Sequence, residues 1–286
     1  MSAAALALVV TAAFLHATWN LLAKRAQGGV SFVWLYSLAT SVIYLPVVLG
    51  YVWWFAPRLV PMHFVAMVIS GALHSAYATV LQRGYRVGDL SVVYPVARGT
   101  GPLLTIVGAV LLFGERPALI AVGGALCVIG GVFWLAGGLA LLDPARRSKG
   151  VVWGLATGVC IAGYTLWDAN VVTTMALAPL LLDYGNNVSR ALLLTPIALG
   201  RRDQTRDAWR QGSRAVLGVA TLAPLSYIMV LTAVQFTPVS YVAPAREASM
   251  LIAAVLGARL LGEGRLAQRV GAAALIVLGV VGIALG

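Results

Sequence analysis

Two arginines lie at matching places inside long apolar runs, where an ionised side chain is rare. Arg98 lies near the start of YPVARGTGPLLTIVGAVLLFGER, and Arg246 lies near the start of VAPAREASMLIAAVLGARLLGEGR, 148 positions later. An arginine at the centre of a bilayer span is unfavourable by about 2.5–3.5 kcal/mol. A guanidinium group binds carboxylates through paired hydrogen bonds. The pair therefore predicts two arginines that line one substrate cavity.

Other polar and aromatic residues accompany both arginines at helical spacing. His16, Trp19 and Asn20 share one helix face, and Tyr164, Trp167 and Asp168 repeat that face 148 positions later. Such faces avoid lipid, because an unpaired polar group in hydrocarbon is unfavourable by several kcal/mol. The predicted substrate-binding residues are Trp19, Asn20, His16, His74, Tyr77, Tyr94, Arg98, Tyr164, Trp167, Asp168, Tyr227, Arg246 and Glu247.

These residue types suit a small organic ion. The arginines would hold a carboxylate, Asp168 or Glu247 would hold an ammonium group or balance charge, and aromatic rings would contact an apolar or cationic group. An amino-acid-like zwitterion and an aromatic cation both fit. The structural alternatives are that the tryptophans pack or anchor at the interface, that the histidines make structural hydrogen bonds, and that the arginines pair with Asp168, Glu247 or Asp183.

The composition predicts a protein that crosses the membrane many times. Hydrophobic residues make up 60% of the 286 residues and charged residues only 10%, against about 25% charged residues in a soluble domain. The net charge of +11 lies in short loops and predicts no nucleic-acid partner. No HExxH, GxSxG or phosphate-loop motif occurs, and Cys127 and Cys160 have no metal-site spacing. We therefore expect no enzyme, no cofactor and no metal.

Ten apolar runs of about 20 residues predict ten transmembrane helices, at 4–23, 31–54, 63–84, 90–113, 117–140, 151–173, 177–199, 214–235, 239–261 and 267–285. Of the 20 lysines and arginines, Arg98, Arg190 and Arg246 lie within these spans. Two more, Arg58 and Arg116, lie in loops on one side, and the remaining fifteen lie in the loops or at the span ends of the other side. The positive-inside rule then places both termini on the non-cytoplasmic side.

The 148-residue offset predicts an internal repeat. Trp19 aligns with Trp167 and Tyr36 with Tyr184. A unit of five spans is odd, so the second copy enters the membrane inverted, as in many secondary transporters. The predicted organisation is an all-α membrane protein with a first five-helix repeat at 1–143, a cytoplasmic linker at 144–149 and a second, inverted repeat at 150–286. Glycine stripes assign spans 5 and 10 to packing, and prolines predict weak points at 99–102 and at Pro244.

The chain resembles the drug/metabolite transporter superfamily, EamA type. The resemblance rests on LHATWNLLAK, on the PVARG…GERP run from Pro95 to Pro117, and on PAREA…LGE from Pro244 to Glu263. It covers essentially the whole chain and implies a multi-pass protein of the cell (inner) membrane that works as a monomer. It also implies secondary transport by alternating access, with export of small organic solutes, most of all aromatic or hydrophobic amino acids. The alternatives are a multidrug or aromatic-cation exporter and a passive small-solute channel.

Overall fold

The computed structural model describes residues 1–25, 29–88, 90–135, 148–252 and 266–286, and these residues are helical with no strand. Within the described residues we label the helices α1 (Ala3–Arg25), α2 (Gly29–Phe55), α3 (Pro61–Val87), α4 (Leu90–Phe113), α5 (Leu119–Leu135), α6 (Ser148–Thr173), α7 (Pro179–Gly200), α8 (Arg202–Val234), α9 (Val239–Arg246) and α10 (Leu266–Leu285). The all-α prediction is confirmed for this part of the chain. The predicted linker lies mostly outside the described residues, as does Glu263.

Six of the helices are long and apolar enough to cross a membrane: α1, α2, α3, α4, α6 and α8. Their outward residues are large and apolar, such as Trp53, which is 81% exposed, and Leu111, which is 76% exposed. Six charged side chains, by contrast, are buried between helices in the described chain, and one of them, Asp168, has no exposed surface at all. This arrangement is the reverse of a soluble protein and is the one that lipid requires.

Helix α8 begins twelve residues before the predicted span. Residues 201–214 were expected to form a basic loop, and this expectation is wrong, since α8 starts at Arg202 and bends at Gly212. A 33-residue helix is about 50 Å long, well beyond the roughly 30 Å of hydrocarbon. Thr205 anchors the extra turns, because its hydroxyl contacts Ser31 Oγ at 3.0 Å and the Ala198 carbonyl at 3.1 Å.

Helix α9 ends in the middle of the predicted ninth span. The helix runs from Val239 to Arg246 and is followed by a two-residue turn before helical structure resumes at Ser249. Pro244 contributes no backbone donor, and the Glu247 N–H bonds the Pro244 carbonyl at 3.0 Å in a tightened last turn. The weak point predicted at Pro244 is therefore a real interruption, whereas α4 remains helical through residues 99–102.

Helices α5 and α10 pack against each other at backbone distance, as the glycine stripes predicted. A Cβ atom on Gly124 would lie 2.5 Å from the Gly279 carbonyl oxygen and 2.7 Å from the Ile283 nitrogen. No side chain fits at that spacing, so only glycine allows this approach. The pair carries no charged residue at its contact and holds the bundle together without chemistry.

The strongest helix contacts join residues before the predicted linker to residues after it. Helix α1 packs on α8, α3 packs on both α6 and α7, α4 packs on α6, and α2 packs on α7 and α8. The two parts of the chain therefore interdigitate. Any polar residue on an inner face of one part meets a residue of the other part.

Candidate functional site

Asp168 of α6 is the centre of one buried polar cluster. Its Oδ2 atom accepts a hydrogen bond from the Tyr227 hydroxyl at 2.6 Å and lies 3.0 Å from His74 Nε2. Its other oxygen, Oδ1, is buried and has no hydrogen-bond partner within the described residues. Helices α3, α6 and α8 thus bring together three predicted site residues and leave one carboxylate oxygen free.

Four rings form a wall beside this carboxylate. The Tyr164 ring stacks on His74 with centroids 4.1 Å apart and an angle of 29°. Tyr77 meets Tyr164 edge-on at 5.5 Å, and Tyr227 meets His74 edge-on at 5.4 Å. The faces and edges of these aromatic rings therefore lie around the His74–Asp168 contact.

Arg98 is the centre of a second buried cluster. Its NH1 donates to Glu247 Oε1 at 3.2 Å, its NH2 donates to His16 Nε2, and its guanidinium lies 5.5 Å from the centre of the Tyr94 ring. His16 in turn meets Trp19 edge-on at 4.7 Å. The structural alternative therefore describes Arg98 well, since two side chains from other parts of the chain bind its NH1 and NH2 groups, although its Nε, like that of Arg246, has no hydrogen-bond partner in the described chain.

Arg246 is buried and almost without partners. It is 4% exposed, and its only ion-pair contact in the described chain is a long one of 3.9 Å from Nε to Glu247 Oε1. That Nε atom has no hydrogen-bond partner there. His74 and Tyr227, which both contact Asp168, lie close enough to Arg246 to feel its charge. A guanidinium with free donors therefore lies in the same region as a carboxylate with a free acceptor.

Opposite charges balance in the buried interior of the described chain. The six charged side chains that are buried there are Arg98, Arg190, Arg246, Asp168, Asp183 and Glu247. Three are cationic and three are acidic, so the interior is neutral when all six are ionised. No three histidine, cysteine, aspartate or glutamate side chains of the described residues come together as metal ligands.

Two predicted site residues have partners away from these clusters. The Trp167 indole N–H donates to the Ala66 carbonyl at 3.1 Å, and its ring packs in the main apolar core. The Asn20 amide donates to the His16 carbonyl of its own helix at 2.8 Å. The helical spacing of these two residues correctly predicted an inner face. It could not predict that a backbone carbonyl of α3 accepts from Trp167 and that a backbone carbonyl of α1 accepts from Asn20.

A third polar network on α7 is not among the predicted site residues. Asn187 donates to Asp183 Oδ2 at 3.1 Å and accepts from Arg190 NH2 at 2.5 Å. Arg190 also donates to Ser37 Oγ at 2.8 Å and lies 5.0 Å from the centre of the Tyr36 ring. The sequence signal was the i, i+4, i+7 spacing on α7, which places these polar residues on one face.

A cavity of about 490 Å³ opens where α4, α6 and α8 end and α9 begins. Its polar lining includes Asn170, two residues beyond Asp168, and Glu115. Glu115 accepts from the Val239 N–H at 2.9 Å and the Ser240 N–H at 3.0 Å, and so caps α9. Glu115 follows α4, so the helix it caps belongs to the other part of the chain.

The sequence profile of the EamA-like transporter family matches residues 148–285. Residues 148–285 belong to the EamA-like transporter family. The matched range contains Asp168, Tyr227 and Arg246, so the candidate site lies largely within it. The resemblance to the drug/metabolite transporter superfamily is confirmed at this level. The match points to a membrane transporter of small solutes and not to an enzyme, and the apolar helices of the described chain support a protein that crosses the membrane several times.

Comparison with solved structures supports the fold alone. One crystal structure, described only as that of a protein, is 17% identical to this EamA-like chain and superimposes with a TM-score of 0.77. The match covers 100% of this chain and 99% of the other. No curated protein is significantly similar to the chain.

Proposed function

We propose that this EamA-like protein is a secondary exporter of zwitterionic amino acids with aromatic or hydrophobic side chains. Arg246 binds the substrate carboxylate and Asp168 Oδ1 binds the ammonium group. The rings of Tyr77, Tyr164 and Tyr227 contact the substrate side chain. The observation that carries the proposal is the presence, in one buried region, of a guanidinium and a carboxylate oxygen that both lack hydrogen-bond partners in the described chain.

The charge balance favours a zwitterion over the alternatives. A zwitterion adds no net charge to a buried interior that holds three arginines and three acidic residues, whether or not Asp183 carries a proton. An aromatic cation would add an uncompensated charge in a region of low dielectric, which is strongly unfavourable. The same argument disfavours a phosphate dianion.

Two inverted five-helix repeats provide the architecture that we propose for transport. The proposed repeat pairs each helix with the helix five later, so α1 corresponds to α6, α2 to α7 and α3 to α8. The helix contacts follow this correspondence: α1 packs on α8 as α6 packs on α3, and α2 packs on α8 as α7 packs on α3. The interruption after Arg246 gives a half-helix end at the site, a common feature of transporters. Alternating access then moves the halves about a fixed site in the cell (inner) membrane.

Both termini lie on the non-cytoplasmic side in this proposal. The Met1 amino group donates to the Ala284 carbonyl at 2.9 Å, so the two ends of the chain lie at the same end of the bundle. The positive-inside count chooses which side that is. A periplasmic reporter enzyme fused after Gly286 should be active, and activity of a cytoplasmic reporter at the same place would contradict this sidedness.

Transport of labelled L-phenylalanine into proteoliposomes tests the proposed function. We expect saturable flux that excess unlabelled L-phenylalanine abolishes, and no competition from a tetraphenylphosphonium cation at the same concentration. The reason is that only the zwitterion uses both Arg246 and Asp168. Strong competition by the cation would favour the multidrug alternative, and flux that rises linearly with concentration would identify a passive channel.

A further inference from the structure

Asp183 on α7 differs from the other two buried carboxylates in its surroundings. Glu247 pairs with Arg98 at 3.2 Å, and Asp168 contacts His74 at 3.0 Å. None of the ion pairs in the described part of the chain includes Asp183, although this side chain is only 4% exposed. Its one side-chain donor there is the neutral amide of Asn187, which stands between it and Arg190.

A buried carboxylate without a cation at contact distance takes up a proton more readily than one in an ion pair, because burial disfavours its charged form. The ionised form is penalised by burial and helped by one amide and a more distant arginine. The protonated form loses the favourable interactions with the amide and the arginine, but it is neutral and so burial does not disfavour it. An acid held in this balance inside a membrane is a site that can take up and release a proton during a transport cycle.

The other ionisable groups around Asp183 are less suited to that exchange. Arginine stays protonated, and tyrosine phenols ionise only near pH 10. The Asp168 carboxylate already has two side-chain partners, Tyr227 and His74. From its own helix and from α2, α3, α6 and α8, the groups that face this region are Arg190, Tyr36, Tyr44, His74, Asp168 and Tyr227.

Helix α3 connects Asp183 to the proposed substrate site. Gly71 of α3 packs so tightly on α7 that a Cβ atom there would lie 3.0 Å from the Asn186 carbonyl oxygen and 3.2 Å from the Arg190 nitrogen. His74, which contacts Asp168, lies one helical turn further along α3. Asp168 and Asp183 also lie within electrostatic reach of each other. Neutralising one carboxylate therefore makes it easier for the other to be ionised.

We propose that Asp183 binds the coupling proton and that the protein exchanges one proton for one amino acid. This inference rests on the proposed amino-acid transport. When the substrate ammonium neutralises Asp168, the proton on Asp183 leaves to water on the side from which the substrate entered. When the substrate leaves on the other side, a proton from that side returns to Asp183. Protons that enter the cell then drive export.

Asp183→Asn separates coupling from transport, because asparagine has the shape of the acid but cannot titrate. With equal pH on both sides of the proteoliposome membrane, we expect the variant to exchange labelled for unlabelled L-phenylalanine at a rate within about threefold of wild type. Under an imposed pH gradient, wild type should accumulate substrate, up to about tenfold per pH unit for one proton per substrate. D183N should accumulate none.

Controls assign each failure to its cause. Asp203→Asn removes an exposed acid from the start of α8 and should behave as wild type, and D183E should keep its response to the gradient. Equal accumulation by D183N and wild type would overturn the proton site, as would loss of exchange in folded D183N. Wild type that exchanges without any response to pH, or that responds only to sodium, would also overturn it. Wild type that does not exchange at all would instead refute amino-acid transport.

A direct measurement covers the case in which D183N does not fold. Purified wild type in weak buffer with a pH indicator should release about one proton for each L-phenylalanine bound, since the ammonium and the proton compete. D183E should release a similar amount because it keeps the acid. Binding without proton release in wild type would overturn the proposal.

Discussion

Arg98 and Arg246 occupy equivalent positions in the two repeats but have different surroundings. Arg98 donates to Glu247 and His16, whereas Arg246 makes one long contact with Glu247. The sequence predicted that both arginines hold the substrate carboxylate. Because Arg98 already has two side-chain partners, we assign the substrate carboxylate to Arg246 alone. Arg98 instead joins α1, α4 and the end of α9 at one point.

Removing Arg98 should destabilise the protein more than removing a surface arginine. Arg98→Ala leaves Glu247 buried with only the 3.9 Å contact to Arg246, and breaking a buried ion pair costs about 3–5 kcal/mol. Unfolding in detergent, followed by circular dichroism, measures the change. Arg206→Ala, an exposed substitution on α8, is the control and should change stability by less than about 0.5 kcal/mol.

The double variant distinguishes ion pairing from packing. Arg98→Ala combined with Glu247→Gln removes the orphaned charge and should recover more than half of the lost stability, because a neutral amide is far easier to bury. If R98A is as stable as wild type, or if the double variant is no more stable than R98A, the Arg98–Glu247 pair does not have the role assigned to it.

For single residues, the sequence predicted which side chains face the interior better than it predicted which groups they contact. Helical spacing placed Tyr164 and Asp168 on one inner face, and both lie in the aromatic cluster. The same spacing placed Trp167 there, yet its N–H donates to a backbone carbonyl of α3. Periodicity identifies a face, but the partner comes from a helix about a hundred residues away in the chain, which no local pattern encodes.

At the scale of the helix, apolar length predicted where most elements lie, and backbone chemistry set where they end. Helix α4 ends at Phe113 because Gly114 adopts φ of +66° and the Glu115 N–H returns to the Ala109 carbonyl at 3.2 Å. Helix α7 begins at Pro179, a residue suited to the first helical turn. These signals are local, so the sequence contains them.

The start of α8 could not be predicted from hydropathy. Residues 202–214 are too charged for a bilayer, and the sequence interpretation therefore treated them as a loop. Charge excludes a segment from lipid, but it does not prevent a helix, since arginine and glutamine are good helix formers in water. The contact of Thr205 with Ser31 then depends on where α2 lies, which is tertiary information.

At the scale of the whole molecule, the proposed repeat accounts for a candidate site that draws on both parts of the chain. His74 and Arg98 come from before the predicted linker, and their partners Asp168 and Glu247 come from after it. The sequence offset predicted that equivalent residues would meet in the middle. It could not predict which of two similar arginines would keep its donors free, because that choice depends on the local break at Pro244 and on the position of Glu247.

The contact across the ends of α4 and α9 also joins the two parts. Glu115 caps α9 and lines the cavity that reaches Asn170, near Asp168. The capping carboxylate and the cavity occupy the end of the bundle that the proposed topology places outside the cytoplasm.

Calorimetric binding of matched ligands to matched variants tests the central claim most directly. The ligands are L-phenylalanine, phenethylamine, which lacks the carboxylate, and N-acetyl-L-phenylalanine, which lacks the ammonium group. Wild type should bind the amino acid about 10- to 100-fold more tightly than either analogue, since a hydrogen bond to a charged group contributes about 1.5–3 kcal/mol. Arg206→Gln and D203N serve as surface controls.

The variants should separate the two ends of the substrate. Arg246→Gln should bind L-phenylalanine and phenethylamine equally and still discriminate against the N-acetyl analogue. Asp168→Asn should show the opposite pattern. If R246Q keeps the full wild-type preference for the amino acid over the amine, Arg246 does not hold the carboxylate and the account of the site is wrong.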